Sequence, residues 1–439
     1  MKKKIILILI ILLIPLFGGI SSAVNLVSIG DWSLSDKYSV YYGGNEQRLD
    51  LSVDEVIQYY KKNSPEYKKI DLTHELNSLY FSSLEQQLNG IDNAIIQNKK
   101  LIEENRSMLE DYQKELELYE EGSAEWQKIV NNMEKCALNI ATYENLLIDY
   151  TTQKAELYTQ YENYRFLNDY AELLFILDQS RLLNNIKEKC FSLIVLKENL
   201  DSVDDNISYN NVILQIHKEN FKHGRSTESD IQLQDSLLEL SRNQKDLYKT
   251  TYNNTFKDIL RNIGFNEDQN IKISFDIKTL RFLVCKDFDI VKSSFYANDI
   301  KEKQLKNNIA ILDGKIKILN EIYPPNSQVL ELESKNREIA ILEHHKWLLE
   351  RDELLRNIYS DYENKYYDVK YKEKAAEAQY KKYLVALNKY NLGLISRIEY
   401  LEEKLKFNQY EMDAYMALYE YYRSLNRVDL AMLGLITNI

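Results

Sequence analysis

The residues that most often carry chemistry are sparse and poorly spaced in this chain. His74, His217, His223, His344 and His345 form no ligand set: the adjacent pair points about 100° apart on a helix, and no His-Glu-x-x-His occurs. No Gly-x-x-x-x-Gly-Lys-Ser/Thr is present to cradle a phosphate. Cys136, Cys190 and Cys285 are odd in number and far apart, and read as small apolar residues rather than as a disulfide framework or metal site. The expectation is a protein that is not an enzyme and that uses no metal and no cofactor.

The spacing that does carry meaning is a turn written twice. Phe221-Lys-His-Gly224-Arg-Ser-Thr227-Glu-Ser-Asp230 is matched by Tyr390-Asn-Leu-Gly393-Leu-Ile-Ser396-Arg-Ile-Glu399. In each, an aromatic precedes a Gly suited to the left-handed residue that closes a helix, and a Ser or Thr three residues on can accept the first free amides of the next. Asp230 and Glu399 then stand where a capping box places a carboxylate, Asp230 being the shorter variant. A further Gly, Gly264 or Gly434, closes each following helix. A match this long marks a duplicated helical unit.

The elements that must position these turns are long helices. Only four prolines and twelve glycines occur among 439 residues, and Pro65, Pro324 and Pro325 are the only prolines beyond the N-terminal segment. Residues 1–23 read as a targeting segment, with Lys2-Lys3-Lys4, an apolar run from Ile5 to Phe17 and Ser21-Ser22-Ala23 at a cleavage site; an uncleaved anchor is the other reading. Residues 24–50 read as an extended lead, and Ser52-Val-Asp-Glu55 as a third capping box opening a helix that Pro65 kinks or ends. The net charge of −12 and the lack of a basic stripe exclude nucleic acid as the main partner.

From Leu84 the pattern is a heptad seam: Leu84, Leu88, Ile91, Ile95, Asn98, Ile102, Asn105, Leu109, Tyr112, Leu116 and Tyr119. After Gly122 a second seam runs Ile129, Met133, Cys136, Ile140, Tyr143, Leu147, Tyr150. An antiparallel coiled-coil hairpin folded back at Gly122 sets Asn105 near Tyr143 and Asn98 near Tyr150, where amides and phenols can pair. The return arm is expected to continue, with a bend around 201–206, to the turn at Gly224. Residues 271–277 alternate as a short strand in a linker. The second unit starts near Asp287 and turns at Tyr323-Pro324-Pro325-Asn326-Ser327. Both arms of the first unit are about 35 residues longer, a projection of roughly 50 Å. The expected organisation is a segment 1–23, a lead 24–50, a helical repeat 51–264 with a coiled-coil extension at about 84–155, a linker 265–286, a second repeat 287–434 and a tail 435–439. The expected fold class is all-α, long antiparallel helical hairpins in two tandem repeats, with little or no β.

With these residues in view, the chain resembles the outer-membrane efflux channel-tunnel family of the TolC type. Leu49-Asp-Leu51-Ser52-Val-Asp-Glu-Val-Ile57 followed by Asn63-Ser64-Pro65-Glu66 is similar to the family's opening helix, and the two Gly turns resemble its tip turns. The resemblance implies a homotrimeric α-barrel protomer serving as the exit conduit of a tripartite efflux pump or one-step secretion system. It implies adaptor docking at tips formed by Gly224, Thr227, Asp230, Gly393, Ser396 and Glu399, with an inner-membrane transporter as the further partner, and an envelope or cell-surface location. Glu399 and Glu402 fall where some members narrow the tip; carboxylates are also simply favourable at a helix N-terminus. The departure is that neither hairpin end has room for a pair of membrane strands of about 9–11 residues each. A non-conducting extracytoplasmic scaffold built on the same helices is therefore the second expectation, and an adaptor-like coiled-coil protein a weaker third.

Overall fold

The computed structural model describes residue 34 and residues 37–44, 48–277 and 285–436. The segment 1–23 therefore lies outside the described residues, as do parts of the lead, the linker and the tail. Among the described residues the chain is built from helices α1 (Val53–Asn63), α2 (Pro65–Leu116), α3 (Ala124–Asp169), α4 (Ala171–Lys222), α5 (Glu228–Asn262), α6 (Phe288–Asn298), α7 (Ile300–Leu319), α8 (Gln328–Asn391) and α9 (Arg397–Met432). Strands β1 (Lys37–Tyr42), β2 (Leu49–Ser52) and β3 (Ile271–Asp276) form one small sheet in the order β1-β3-β2. β2 and β3 are parallel, with Leu49 opposite Ile271 and Leu51 opposite Ile273. Ile271, Ile273 and Phe275 turn inward while Lys272 and Ser274 stay half-exposed, the alternation expected of a strand with one covered face. Two compact units are distinguished, each taken over its described residues: one of Glu198–Leu247 with Asp368–Ala417, the other of Tyr38–Lys197, Tyr248–Tyr367 and Leu418–Ile439.

Local chemistry explains where the helices break. Ser52 caps α1 in a full capping box, its amide donating to Glu55 Oε2 at 2.7 Å and its hydroxyl accepting from the Glu55 amide at 3.2 Å. Ser64 ends α1 and caps α2, and Pro65 sits at the first turn of α2, where its missing N–H costs nothing. Pro65 thus separates two helices. The bend expected around 201–206 is not there: α4 is continuous through it, and the break falls instead at Tyr170, whose φ of −106° and ψ of 15° leave the helical region. No Gly or Pro marks that position, so the break has no local punctuation.

The coiled-coil hairpin α2/α3 closes through residues 117–123, with Gly122 at φ +86° and Ser123 capping α3. Lys154 pairs with Asp92 at 2.6 Å and Arg106 with Glu144 at 2.9 Å across it. The seam amides do not meet the phenols. Asn98 donates to the Ala94 carbonyl at 2.9 Å, while Asn105 donates to the Leu101 carbonyl at 2.8 Å and accepts from Asn139 at 3.2 Å. Each amide finds an acceptor one turn back on its own helix, so Tyr143 and Tyr150 are left half-exposed on the flank. The turn between α7 and α8, residues 320–327, packs beside this hairpin: Ala155 shares a buried cluster with Ile318, Leu319 and Leu330, and Lys99 pairs with Glu321 at 3.2 Å. Beyond that level the hairpin carries on for about 25 residues, on the order of 40 Å. Asn105→Leu is expected to stabilise the hairpin by about 1 kcal/mol, since Asn139 is exposed and water replaces its partner. Amide hydrogen exchange across 95–150 checks it: slower exchange is expected, faster exchange contradicts it.

A pair of clasps closes the chain on itself. Asn63, the last residue of α1, donates to the Ile263 carbonyl at 2.7 Å, next to Gly264 at φ +78°. Asn298, the last residue of α6, donates to the Met432 carbonyl at 2.9 Å, and the Ile300 amide reaches the Gly434 carbonyl at 3.3 Å. Asn63-Ser64 and Asn298-Asp299 are therefore equivalent: an amide that ties back to the closing glycine's turn, then a capping residue that opens the next helix. Asp299 is 1% exposed and its carboxylate accepts from the Glu302 amide at 3.0 Å, Trp347 Nε1 at 3.0 Å and Arg351 Nη1 at 3.1 Å.

Candidate functional site

The two Gly turns lie in the smaller unit and share one geometry. The Gly224 amide donates to Phe221 O at 3.0 Å and the Arg225 amide to Asn220 O at 2.8 Å; the Gly393 amide donates to Tyr390 O at 2.9 Å and the Leu394 amide to Lys389 O at 2.8 Å. With φ of 67° and 70°, both glycines stand in the left-handed region, where the paired bonds satisfy carbonyls that a helix end otherwise leaves open. The capping boxes are equally matched. The Thr227 amide donates to Asp230 Oδ2 at 2.7 Å and the Ser396 amide to Glu399 Oε2 at 2.7 Å, with 3.2 Å return bonds to the Thr227 and Ser396 hydroxyls. These backbone bonds keep the Asp230 and Glu399 carboxyls below their ordinary values. A second hydroxyl, Ser226, also donates to Asp230 at 3.2 Å and contacts His217 Nδ1 at 2.8 Å, which fixes the shorter acid.

Nothing crowds either glycine, since a Cβ added at Gly224 or Gly393 meets no atom within 4 Å. The turns are open to solvent, and apolar side chains stand out around them: Leu392 is 74% exposed and Leu394 69%.

The hairpins that carry the turns are zipped differently. Between α4 and α5 the contacts are polar: Asn210 donates to Ser241 at 3.1 Å, Gln234 to Asn210 at 3.0 Å, and Lys245 pairs with Asp204 at 2.5 Å. Between α8 and α9 stacked rings join the polar contacts, with Tyr383 on Phe407 at 5.5 Å and Tyr390 on Tyr400 at 5.0 Å between ring centroids, Gln379 donating to Glu403 at 2.9 Å and Lys372 pairing with Asp413 at 3.2 Å. Burial and the Tyr400 hydroxyl push the Tyr383 phenol up to about 12.

A polar latch joins the two hairpins. Asp205 of α4 accepts from Lys404 Nζ at 2.8 Å and Asn408 Nδ2 at 2.5 Å of α9, and Tyr209 donates to Glu402 at 3.2 Å. Burial and the Glu402 carboxylate raise the Tyr209 phenol. This register makes α4 and α9 antiparallel neighbours, so Gly224 and Gly393 lie towards one end of the unit. Of the two candidate gate residues, Glu402 accepts from Tyr209 in this latch and Glu399 accepts from the Ser396 amide in its own cap. Asp205, Tyr209, Lys404 and Asn408 were not legible beforehand, because nothing local sets a contact spanning some two hundred residues.

Beside the second tip, α8 and α9 border an open groove of about 590 Å³, with Lys381, Lys382 and Lys389 on one wall, Glu399, Glu402 and Glu403 on the other, and Val385, Ala386 and Ile395 completing it. Among the described residues no group of three or more His, Cys, Asp or Glu is placed to hold a metal ion, and no helix is long and apolar enough to cross a membrane.

By sequence, no protein-family model and no curated protein matches this chain. Among solved structures, the CmeC outer membrane channel of Campylobacter jejuni is similar over 87% of this chain and 85% of its own, at 12% identity and a TM-score of 0.50. The outer membrane protein VceC of Vibrio cholerae covers 87% and 96% at 9% identity, with a TM-score of 0.42. Identities this low speak of fold alone. Long antiparallel helical hairpins with little β thus give this chain the fold of the TolC-type outer-membrane channels.

Proposed function

We propose that this chain is a component of an export conduit of the cell envelope, in a tripartite efflux or one-step secretion system. In this reading it assembles as a homotrimer, receives a membrane-fusion-type adaptor at the Gly224 and Gly393 turns, and depends on an inner-membrane transporter for energy. The observation that carries the reading is the pair of capped turns with the same hydrogen-bond pattern towards one end of one unit, on a fold similar to that of an outer membrane channel. Duplicated, solvent-open turns with apolar side chains around them suit docking of a helical partner tip to tip. The Asp205–Lys404 and Tyr209–Glu402 contacts join the two hairpins, so breaking them frees one to move against the other, as opening at the tip requires.

A non-conducting scaffold is the second reading. It is favoured by the connections 117–123 and 320–327, which close as short turns, and by strands of at most six residues among those described. Deleting the chain from its cell separates the two. Several-fold accumulation of a fluorescent export substrate such as ethidium, reversed by complementation, is the expected result; unchanged accumulation together with unchanged protein secretion supports the scaffold. In a pull-down with the adaptor, Gly224→Val or Gly393→Val is expected to weaken capture, because a β-branched residue cannot easily adopt the left-handed turn; unchanged affinity counts against docking at these turns.

A further inference from the structure

The first turn of α7, the first half of α8 and a residue just past the closing Gly434 meet around one indole. Trp347 is 4% exposed, and its Nε1 donates to the buried Asp299 carboxylate at 3.0 Å, which fixes the plane of the ring. One face of that ring carries an ammonium: Lys301 Nζ stands 4.2 Å from the ring centroid, the geometry of a cation–π contact. Lys301 is itself exposed and lies in the first turn of α7, where the helix dipole disfavours a cation. Among the described residues no carboxylate pairs with it, so the indole is its main hold.

Beside the indole opens a groove of about 470 Å³, a size that suits a small molecule. Trp347, Glu350 and Leu354 line it from one face of α8 at steps of three and four, and Glu353 flanks them. Ile436 adds a second apolar wall. The Gly434 turn sets it there, because the Ile300 amide, next to Lys301, bonds the Gly434 carbonyl at 3.3 Å. Both carboxylates are exposed; Glu350 is 3.6 Å from Lys346, and Glu353 has no ion pair among the described residues. An aromatic face, apolar carbons and two carboxylates therefore surround a space whose one lining cation, Lys301, sits on a flexible stem. An anion would be repelled there, and a bare metal ion would gain nothing from the indole and the aliphatic walls.

We propose that this groove binds an organic cation, a quaternary ammonium or phosphonium with apolar substituents, which takes the face of Trp347 from Lys301. Lys301 is then an internal competitor that swings out to solvent when the ligand enters. The exchange favours the ligand because a primary ammonium is strongly hydrated and gains by returning to water, whereas a cation wrapped in carbon loses little hydration on the ring. Glu350 and Glu353 balance the ligand's charge at the rim. The inference goes beyond the conduit reading and does not depend on it, since every residue of the groove belongs to one compact unit of one chain.

Titration calorimetry of the purified full chain tests it with two ions of similar size and opposite sign, tetraphenylphosphonium and tetraphenylborate. The phosphonium is expected to bind at least about tenfold more tightly than the borate. Lys301→Ala, which removes the competitor, should tighten phosphonium binding about threefold. Glu350→Gln with Glu353→Gln should weaken it about tenfold. All three side chains are exposed, and unchanged circular dichroism shows that the variants keep the fold. Absence of phosphonium binding, equal affinity for the two ions, or affinity that Lys301→Ala leaves unchanged or lowers overturns the proposal, as does unchanged affinity in the double variant. Phosphonium binding in a chain whose deletion leaves export unaltered would remove the conduit reading and leave this site standing.

Discussion

Gly434→Ala is expected to lower stability by about 3–5 kcal/mol, whereas Gly393→Ala, a glycine in the same left-handed region, lowers it by only about 1 kcal/mol. The backbone cost is similar at the two positions, with φ of 91° and 70°. What differs is the space. A Cβ at Gly434 falls 2.2 Å from the carbonyl oxygen of Asn298 and 2.5 Å from its carbonyl carbon, atoms of the main chain that no rotamer change can move. Relief requires the end of α9 to separate from the α6–α7 break. That separation breaks the Asn298 bond to Met432 and the Ile300 bond to Gly434, each worth about 0.5–1.5 kcal/mol. Urea denaturation followed by circular dichroism reads the difference directly. Equal midpoints for the two variants would mean that the clasp contributes nothing.

The second large effect belongs to Arg351. Its guanidinium bonds both Asp299, which is 1% exposed, and Glu302. Arg351→Met keeps most of the side chain's apolar contact but leaves a buried carboxylate without its cation, a loss of about 3 kcal/mol at pH 7. The pH dependence follows from Glu302. Burial raises its carboxyl, but bonds from Lys306 and Arg351 outweigh this and hold it below the ordinary value. A depressed carboxyl contributes stability above its unfolded pKa and loses it as pH falls through the folded one. The gap between wild type and Arg351→Met is therefore full at pH 7 and narrows below about pH 4.5. Urea midpoints at pH 7 and pH 4 check this, and a gap that widens in acid would contradict the pairing.

Both effects arise where the chain's two halves are related in a way that the amino-acid order conceals. Asn63-Ser64-Pro65 and Asn298-Asp299-Ile300 share little beyond one asparagine, yet they do the same work. In the first the capping hydroxyl is Ser64; in the second a carboxylate takes its place and recruits Trp347 and Arg351 as partners. The asparagine followed by a short capping residue was the available signal. The missing second proline hid it.

What the sequence determined by itself was whatever a few neighbouring residues can satisfy. The turns at Gly224 and Gly393, the capping boxes at Ser52, Thr227 and Ser396, the stop at Pro324-Pro325 and the heptad seams close their hydrogen bonds or bury their stripe within about ten residues, so residue type and spacing specify them. Only the tertiary structure decided which amides meet in the α2/α3 seam, that the helix breaks at Tyr170 rather than near 201–206, that Asp205 ties α4 to α9, and that Leu238 and Leu260 of α5 are buried while Leu233, Leu237 and Leu240 are exposed. Those outcomes depend on the register between helices far apart in the chain. One turn of slippage exchanges every partner while leaving each helix's own backbone bonds intact, so local preference cannot choose among the registers; packing of the whole does.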